Sequence, residues 1–113
     1  MREWAVTTLP GAEKDISDIY SYIATVLMEP AVAGRLVARL KKAIHSLENM
    51  PERYRLYDKE PLRSKGLRMV SVGNYIVFYH TAKDVGKVFI EGVIYGGRDL
   101  DEAVSEIMMI DGQ

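Results

Sequence analysis

Apolar residues recur along the chain at a period that changes several times, and each change predicts a new element of secondary structure. Alternation of apolar and polar residues over 3–8 predicts a short strand, which Pro10-Gly11 ends. From Ala12 the apolar residues fall at the spacing of one helical face, at Ile16, Ile19, Tyr20, Ile23 and Leu27. Met28-Glu29-Pro30 interrupts this helix, because proline cannot continue the helical hydrogen-bond ladder.

A second amphipathic helix is predicted after Pro30, since proline suits the first turn of a new helix. Its apolar stripe runs through Ala33, Leu36, Val37, Leu40, Ala43, Ile44 and Leu47. The helix is predicted to stop before Asn49-Met50-Pro51. Because the break between the two helices is short, we expect them to be antiparallel neighbours.

Three strands are predicted in the second half of the chain, after an extended basic loop over 51–66. They cover 67–72, 75–81 and 87–95. Gly73-Asn74 is the signal of a two-residue hairpin turn, in which both positions tolerate a positive φ.

The hairpin turn fixes a register between the first two of these strands. If Val72 faces Tyr75, counting back along the strand places Arg68 opposite Tyr79. Side chains opposite each other share a face, with Cβ atoms roughly 5 Å apart. Arg68 and Tyr79 are therefore predicted to be neighbours.

A final helix is predicted over 99–109, with Leu100, Val104, Ile107 and Met108 as its apolar positions. The predicted order is β-α-α-β-β-β-α, which indicates an α+β fold. We expect the helical hairpin to pack on one face of a mostly antiparallel four-stranded sheet. The other face is expected to stay open for a functional site.

Length and composition are typical of one small domain. The chain has 113 residues, of which 48% are hydrophobic, so we expect a single domain over 1–113 with one core. It contains no cysteine, which excludes disulfides and thiolate chemistry. We expect a soluble, cytoplasmic protein, because no secretion signal and no run of ~20 apolar residues is found. We predict no metal site, because the two histidines lack the spacing of metal ligands. We predict no cofactor, because the sequence has no glycine-rich phosphate loop.

Charge is distributed unevenly, although the net charge is only −1. Residues 53–68 carry six basic groups against two acidic ones, whereas the tail over 99–113 carries five acidic groups and no basic one. Cations neutralise phosphates, so we take five basic residues as candidate contacts to nucleic acid or another target: Arg53, Arg55, Lys59, Arg63 and Lys65. A solvated loop is the plainer interpretation. The acidic tail is predicted to lie over this loop and to mimic phosphate.

Several local strings, in this order and at this spacing, resemble the RelE/ParE toxin superfamily over nearly the whole chain. They are residues 12–15 with 19–23, 51–53, 66–68, 74–79 and 93–99. The resemblance implies a type II toxin that a cognate antitoxin holds inactive by wrapping its surface, in a hetero-oligomer. RelE-like members enter the ribosome and cut messenger RNA, whereas ParE-like members poison DNA gyrase and cut nothing.

Cutting RNA without a metal needs a base, an acid and cations around the phosphate. The resemblance implies Arg68 and Arg98 for the cations, with Arg53 as a helper, because the family places such residues on the open sheet face and at the end of the last strand. Arg68 beside Tyr79 is then a fragment of an RNA site. The plainer interpretation is an arginine that lies flat over a tyrosine ring.

His80 is the candidate acid or base, because only histidine titrates near neutrality without perturbation. In the predicted register it faces away from Tyr79 and Arg68, toward the helices or the sheet edge, unless a β-bulge reverses it. This parity opposes a catalytic role. Three functions stay open: a ParE-like toxin that acts by binding, which the near-neutral charge favours, an RNA-cutting enzyme, and an interaction module without toxicity.

Overall fold

The computed structural model describes residues 3–97 and 99–110, without side-chain detail for 107–110. Its elements follow the predicted β-α-α-β-β-β-α order. They are β1 (Ala5–Thr8), α1 (Pro10–Ser21), α2 (Pro30–His45), β2 (Arg68–Val72), β3 (Tyr75–Ala82), β4 (Lys87–Tyr95) and α3 (Leu100–Ile110). The predicted helices and strands therefore exist, with boundaries that differ by a few residues.

The four strands form one mixed sheet in the order β1-β4-β3-β2. β1 runs parallel to β4, and the other neighbours are antiparallel. The predicted register of the β2–β3 hairpin is confirmed, because Val72 pairs with Tyr75 and Arg68 pairs with Tyr79. Gly73 in the turn has a φ of +59°, a conformation that glycine adopts without strain.

A β-bulge interrupts the pairing of β3 with β4. Phe78 pairs with Gly92 and Tyr79 pairs with Ile90, so Glu91 is an extra residue on β4. The edge of β4 next to the bulge is closed by α1 instead of by a strand: the backbone N–H of Val93 donates to Asp15 Oδ2 at 3.0 Å. The register shift lies on β4 and leaves the alternation of β3 intact.

The helical hairpin of α1 and α2 covers the first face of the sheet. Its buried residues Ala12, Leu40 and Ile44 pack in one hydrophobic cluster with sheet residues that include Val77, Tyr79 and Ile90. This layer arrangement is the one predicted. Because Tyr79 belongs to this cluster, the Arg68–Tyr79 pair lies on the covered face and not on an open one.

The second face of the sheet is covered in part, so the prediction that it stays open is wrong there. A second hydrophobic cluster packs on it, made of Tyr57, Leu62, Leu67, Met69, Phe78, Ile94, Ala103 and Val104. The last two belong to α3, and Tyr57 and Leu62 come from the loop over 51–66. The loop has no apolar period because it is not a regular element, yet its isolated apolar residues still reach the sheet.

The connection between α1 and α2 is irregular. Tyr22–Val26 forms a π-helical turn, in which the N–H of Leu27 bonds the carbonyl of Tyr22 at 3.1 Å. Met28 follows with a φ of +59°, and Pro30 then opens α2 as predicted. None of the helices in the described part of the chain is long and apolar enough to cross a membrane.

Candidate functional site

Arg68 lies at the start of β2, where it holds the segment that leaves α2. Its Nη1 donates to the backbone carbonyls of Tyr54 at 2.7 Å and Glu52 at 3.2 Å. The side chain is half-buried. Hydrogen bonds from a charged donor are stronger than neutral ones, so the guanidinium stabilises the turn over 51–54.

Tyr79 lies opposite Arg68 and is completely buried. Its hydroxyl donates to the carbonyl of Pro51 at 2.6 Å. Burial raises the pKa of Tyr79 to about 12, although the positive charges of Arg68 and Arg53 act in the opposite direction. The phenol is therefore neutral at pH 7 and serves as an internal hydrogen-bond donor. We call Pro51, Glu52, Tyr54, Arg68 and Tyr79 the Pro51 cluster.

Arg53 lies beside this cluster and binds the segment that follows α2. Its guanidinium donates to the carbonyls of Asn49 and of Met50, the latter at 3.0 Å, and stacks at 4.6 Å over the Tyr54 ring. The structure thus brings Arg53, Arg68 and Tyr79 together, and each of them hydrogen-bonds a backbone carbonyl.

The other basic residues of the segment lie at the surface. Arg55, Arg63 and Lys65 are exposed. Lys59 binds Asp101 of α3, with its Nζ at 2.5 Å from Oδ2, and the Tyr57 hydroxyl donates to the other carboxylate oxygen. The hydrogen bonds from Lys59 and Tyr57 lower the pKa of Asp101. One carboxylate of the acidic tail therefore lies on the basic loop, whereas phosphate mimicry stays a prediction.

His80 projects from the second face of the sheet, away from Tyr79 as its predicted parity requires. Its Nδ1 lies 2.5 Å from Glu91 Oε2, and its ring stacks on Phe89 with centroids 5.3 Å apart. The His80 side chain is 34% exposed, whereas that of Glu91 is 4% exposed. Both directions predicted for His80 are wrong: Tyr79 occupies the face toward the helices, and β3 is an inner strand of the sheet instead of an edge.

Glu91 is a residue that the sequence interpretation missed. The β-bulge places it beside His80, and its buried carboxylate holds Nδ1 of the imidazole. A signal was present in the sequence: a Glu-Gly pair interrupts an otherwise apolar strand over 88–94. Glycine inside a strand pattern indicates a bulge, and a bulge re-aims the side chains next to it.

Arg98 lies outside the described residues, so its predicted role stays a prediction. Within 3–97 and 99–110, no group of three or more His, Asp or Glu side chains is placed to hold a metal ion. The arrangement offers two kinds of chemistry: a Pro51 cluster whose donors bind the protein itself, and a partly exposed histidine held by a buried carboxylate.

Comparison with known structures gives the class of protein first. The toxin-antitoxin structure "Chromosomal ParDE TA system from P. aeruginosa" superposes with a TM-score of 0.67 at 16% identity, over 82% of this chain and 96% of that chain. The complex RelBE2 from Mycobacterium tuberculosis superposes with a TM-score of 0.60 at 19% identity, over 84% and 93%. At these identities the likeness defines the fold, which is that of ParE and RelE toxins.

The family follows from the sequence. The model of the family described as "ParE toxin of type II toxin-antitoxin system, parDE" matches residues 6–100, and this chain belongs to that family. The comparison with curated proteins found no match. The predicted resemblance to the RelE/ParE superfamily is thereby confirmed.

Proposed function

We propose that this chain is a ParE-like toxin that acts in the cytoplasm by binding and poisoning a cellular protein, with DNA gyrase as the target. The observation that carries the proposal is the internal use of the Pro51 cluster. The Arg68–Tyr79 pair was predicted as a fragment of an RNA-cutting site, and its donors bind the carbonyls of Glu52, Tyr54 and Pro51.

Redirecting these donors to a phosphate would be unfavourable. Arg68 would leave two carbonyls without their partner, and an unsatisfied buried polar group costs about 1–3 kcal/mol. Tyr79 has no exposed surface at which a substrate could reach its hydroxyl. The membership in the ParE family points the same way, since a toxin that acts by binding needs no acid–base pair.

We further propose that a cognate antitoxin binds this chain and holds it inactive. The two similar solved structures are a ParDE toxin-antitoxin system and a RelBE2 toxin-antitoxin complex. An antitoxin helix or strand that lays apolar side chains on this surface would follow a common mode of peptide recognition.

A second candidate is an RNA-cutting enzyme of the RelE kind, which the His80–Glu91 pair favours. A half-exposed imidazole whose Nδ1 is held by a buried carboxylate is oriented to accept a proton at Nε2. Loss of message cleavage in both His80→Ala and Glu91→Gln proteins, with the fold retained, would support this candidate.

Induced expression without an antitoxin tests the proposal. The expected result is DNA damage and filamentous cells while messenger RNA stays intact, together with inhibition of gyrase supercoiling by the purified toxin. Prompt loss of translation with cut messages would contradict the proposal and favour the second candidate. Normal growth would leave only an interaction module.

A further inference from the structure

The tip of the helical hairpin presents apolar side chains to solvent. Four residues around the α1–α2 connection are more than half exposed: Tyr22, Val26, Leu27 and Met28. Single exposed apolar residues are ordinary on protein surfaces, but a contiguous group marks a site of interaction. The group is therefore a candidate docking surface.

The backbone holds these side chains outward. The π-helical turn Tyr22–Val26 rotates the end of α1 away from its regular spacing, and the left-handed Met28 turns the chain before α2. A positive φ is uncommon for a long side chain such as methionine, and π-helical turns occur frequently at functional sites.

An open groove of about 700 Å³ adjoins the tip, between α1 and the end of the sheet. Tyr22 and Leu27 form its tip side, and Tyr75 and Tyr95 form its sheet side. The last two rings contact each other edge to face, with centroids 5.6 Å apart. Tyrosine supplies much of the binding energy at protein interfaces, because its ring is apolar and its hydroxyl is polar.

Two carboxylates, Asp15 and Asp18, line the same groove, and no basic residue of the described chain lines it. Asp15 is fixed by the N–H of Val93, whereas Asp18 binds Lys14 at 2.7 Å in a solvent-exposed pair. Exposed ion pairs contribute little and exchange readily. The groove therefore complements a cation and disfavours the phosphates of a nucleic acid.

We propose that the toxin binds its protein target with this groove. The residues that line it and carry the proposal are Asp15, Asp18, Tyr22, Leu27, Tyr75 and Tyr95. The target segment that fits it carries a lysine or arginine flanked by apolar side chains. The cation would lie against Asp18, and the apolar anchors would pack on Leu27 and the tyrosines. This inference rests on the proposed function, a toxin that acts by binding a protein.

A matched pair of variants of the full chain tests the groove. Leu27→Asp introduces a charge at a groove residue that is 51% exposed, and Val85→Asp introduces the same charge at a residue that is 57% exposed. Val85 lies in the β3–β4 turn, at the opposite end of these strands from Tyr75 and Tyr95. Both variants should fold, which circular dichroism and thermal unfolding would check.

The measurements are growth inhibition on induced expression and inhibition of gyrase supercoiling by the purified toxin. Leu27→Asp should weaken both at least tenfold, and Asp18→Lys about fivefold, because each opposes the proposed partner chemistry. Val85→Asp should match the wild type. A folded Leu27→Asp protein that inhibits growth as strongly as the wild type would overturn the inference.

Two further outcomes separate the inference from the function on which it rests. If the wild type stops growth but leaves gyrase active, gyrase is not the target. The effect of the groove variants on growth inhibition then tests the inference. If the wild type is a dimer that Leu27→Asp makes monomeric, the groove holds a second copy of this chain and the inference is wrong. It is also wrong if Leu27→Asp weakens only the binding of the antitoxin.

Discussion

The Pro51 cluster and the tip of the helical hairpin use their residues in opposite ways. In the cluster, residues whose chemistry suits catalysis turn inward: the Tyr79 hydroxyl is buried on the carbonyl of Pro51, and Arg68 binds two further carbonyls. At the tip, residues that usually build cores turn outward, as Leu27 and Met28 do. Residue type alone would have assigned the two regions the other way round.

Whether a side chain is accessible to a partner therefore decides between a structural and a functional role for it. Arginine and tyrosine are suitable phosphate ligands only when their donors are available, and here backbone carbonyls already accept them. Buried polar groups are nearly always hydrogen-bonded in this manner. Exposed apolar residues, in turn, gain free energy only when a partner covers them.

Among the substitutions, we expect the greatest loss of stability from Phe78→Ala, which tests whether the second face of the sheet is part of the core. Phe78 is completely buried among Tyr57, Ile94 and Val104. Phe78→Ala should lower the free energy of unfolding by about 3–5 kcal/mol, because it leaves a cavity. Urea denaturation measures this, with Phe89→Ala as a control of smaller effect. A loss below about 1 kcal/mol would mean that α3 and the loop do not cover this face.

The next effect tests whether Arg68 is structural. Arg68→Met keeps much of the side-chain length but leaves the carbonyls of Glu52 and Tyr54 without their charged donor. We expect a loss of about 1.5–3 kcal/mol, the range for hydrogen bonds to charged groups. Arg55→Met is the matched control at an exposed position and should change stability by less than about 0.5 kcal/mol. Equal effects of the two changes would contradict the structural role.

Tyr79→Phe should have a moderate effect, because it removes one hydroxyl and leaves the ring in place. The loss should be about 1–1.5 kcal/mol. The pKa of Tyr79 is raised from 10.0 to about 12, so the folded protein favours the neutral phenol. That contribution is complete below pH 10 and is lost as the pH rises toward 12. The stability difference between wild type and Tyr79→Phe should therefore shrink between pH 10 and 12, and a constant difference would contradict the buried donor.

The smallest effect belongs to the exposed contact of Asp101 with Lys59. The pKa of Asp101 is lowered from 3.8, so its contribution is present above about pH 4 and is lost as the pH falls through the folded value. Asp101→Asn should lower the melting temperature slightly at pH 7, and this effect should shrink as the pH falls below 4. Glu102→Gln on the same helix is the control. A larger change in melting temperature for Asp101→Asn at low pH than at neutral pH would contradict this prediction.

Much of the fold could be predicted from the sequence, because local patterns determine it. Gly73-Asn74 fixed the hairpin register, and Pro30 marked the start of α2. The coverage of the second face could not be predicted from period alone. Tyr57 and Leu62 are isolated apolar residues in an irregular loop, and only tertiary packing reveals that they reach the sheet.

The candidate site was less predictable for a related reason. Strand pairing predicts that Arg68 and Tyr79 are neighbours. Their burial could not be predicted, because it depends on where the turn over 51–54 packs. The position of Glu91 beside His80 depends on a bulge, and the Glu-Gly pair is its one signal in the strand pattern. The exposed tip depends on a π-helical turn, and the apolar spacing of 16–27 indicates a regular helix instead.

The central claim is that this toxin acts by binding and that its Arg68–Tyr79 pair serves the fold. The most direct measurement is the induction of the Tyr79→Phe protein at the same soluble level as the wild type, with growth recorded and the ends of messenger RNA mapped. We expect equal growth arrest by both proteins and intact messenger RNA. A folded Tyr79→Phe protein that is harmless, beside a wild type that leaves cut messages, would contradict it.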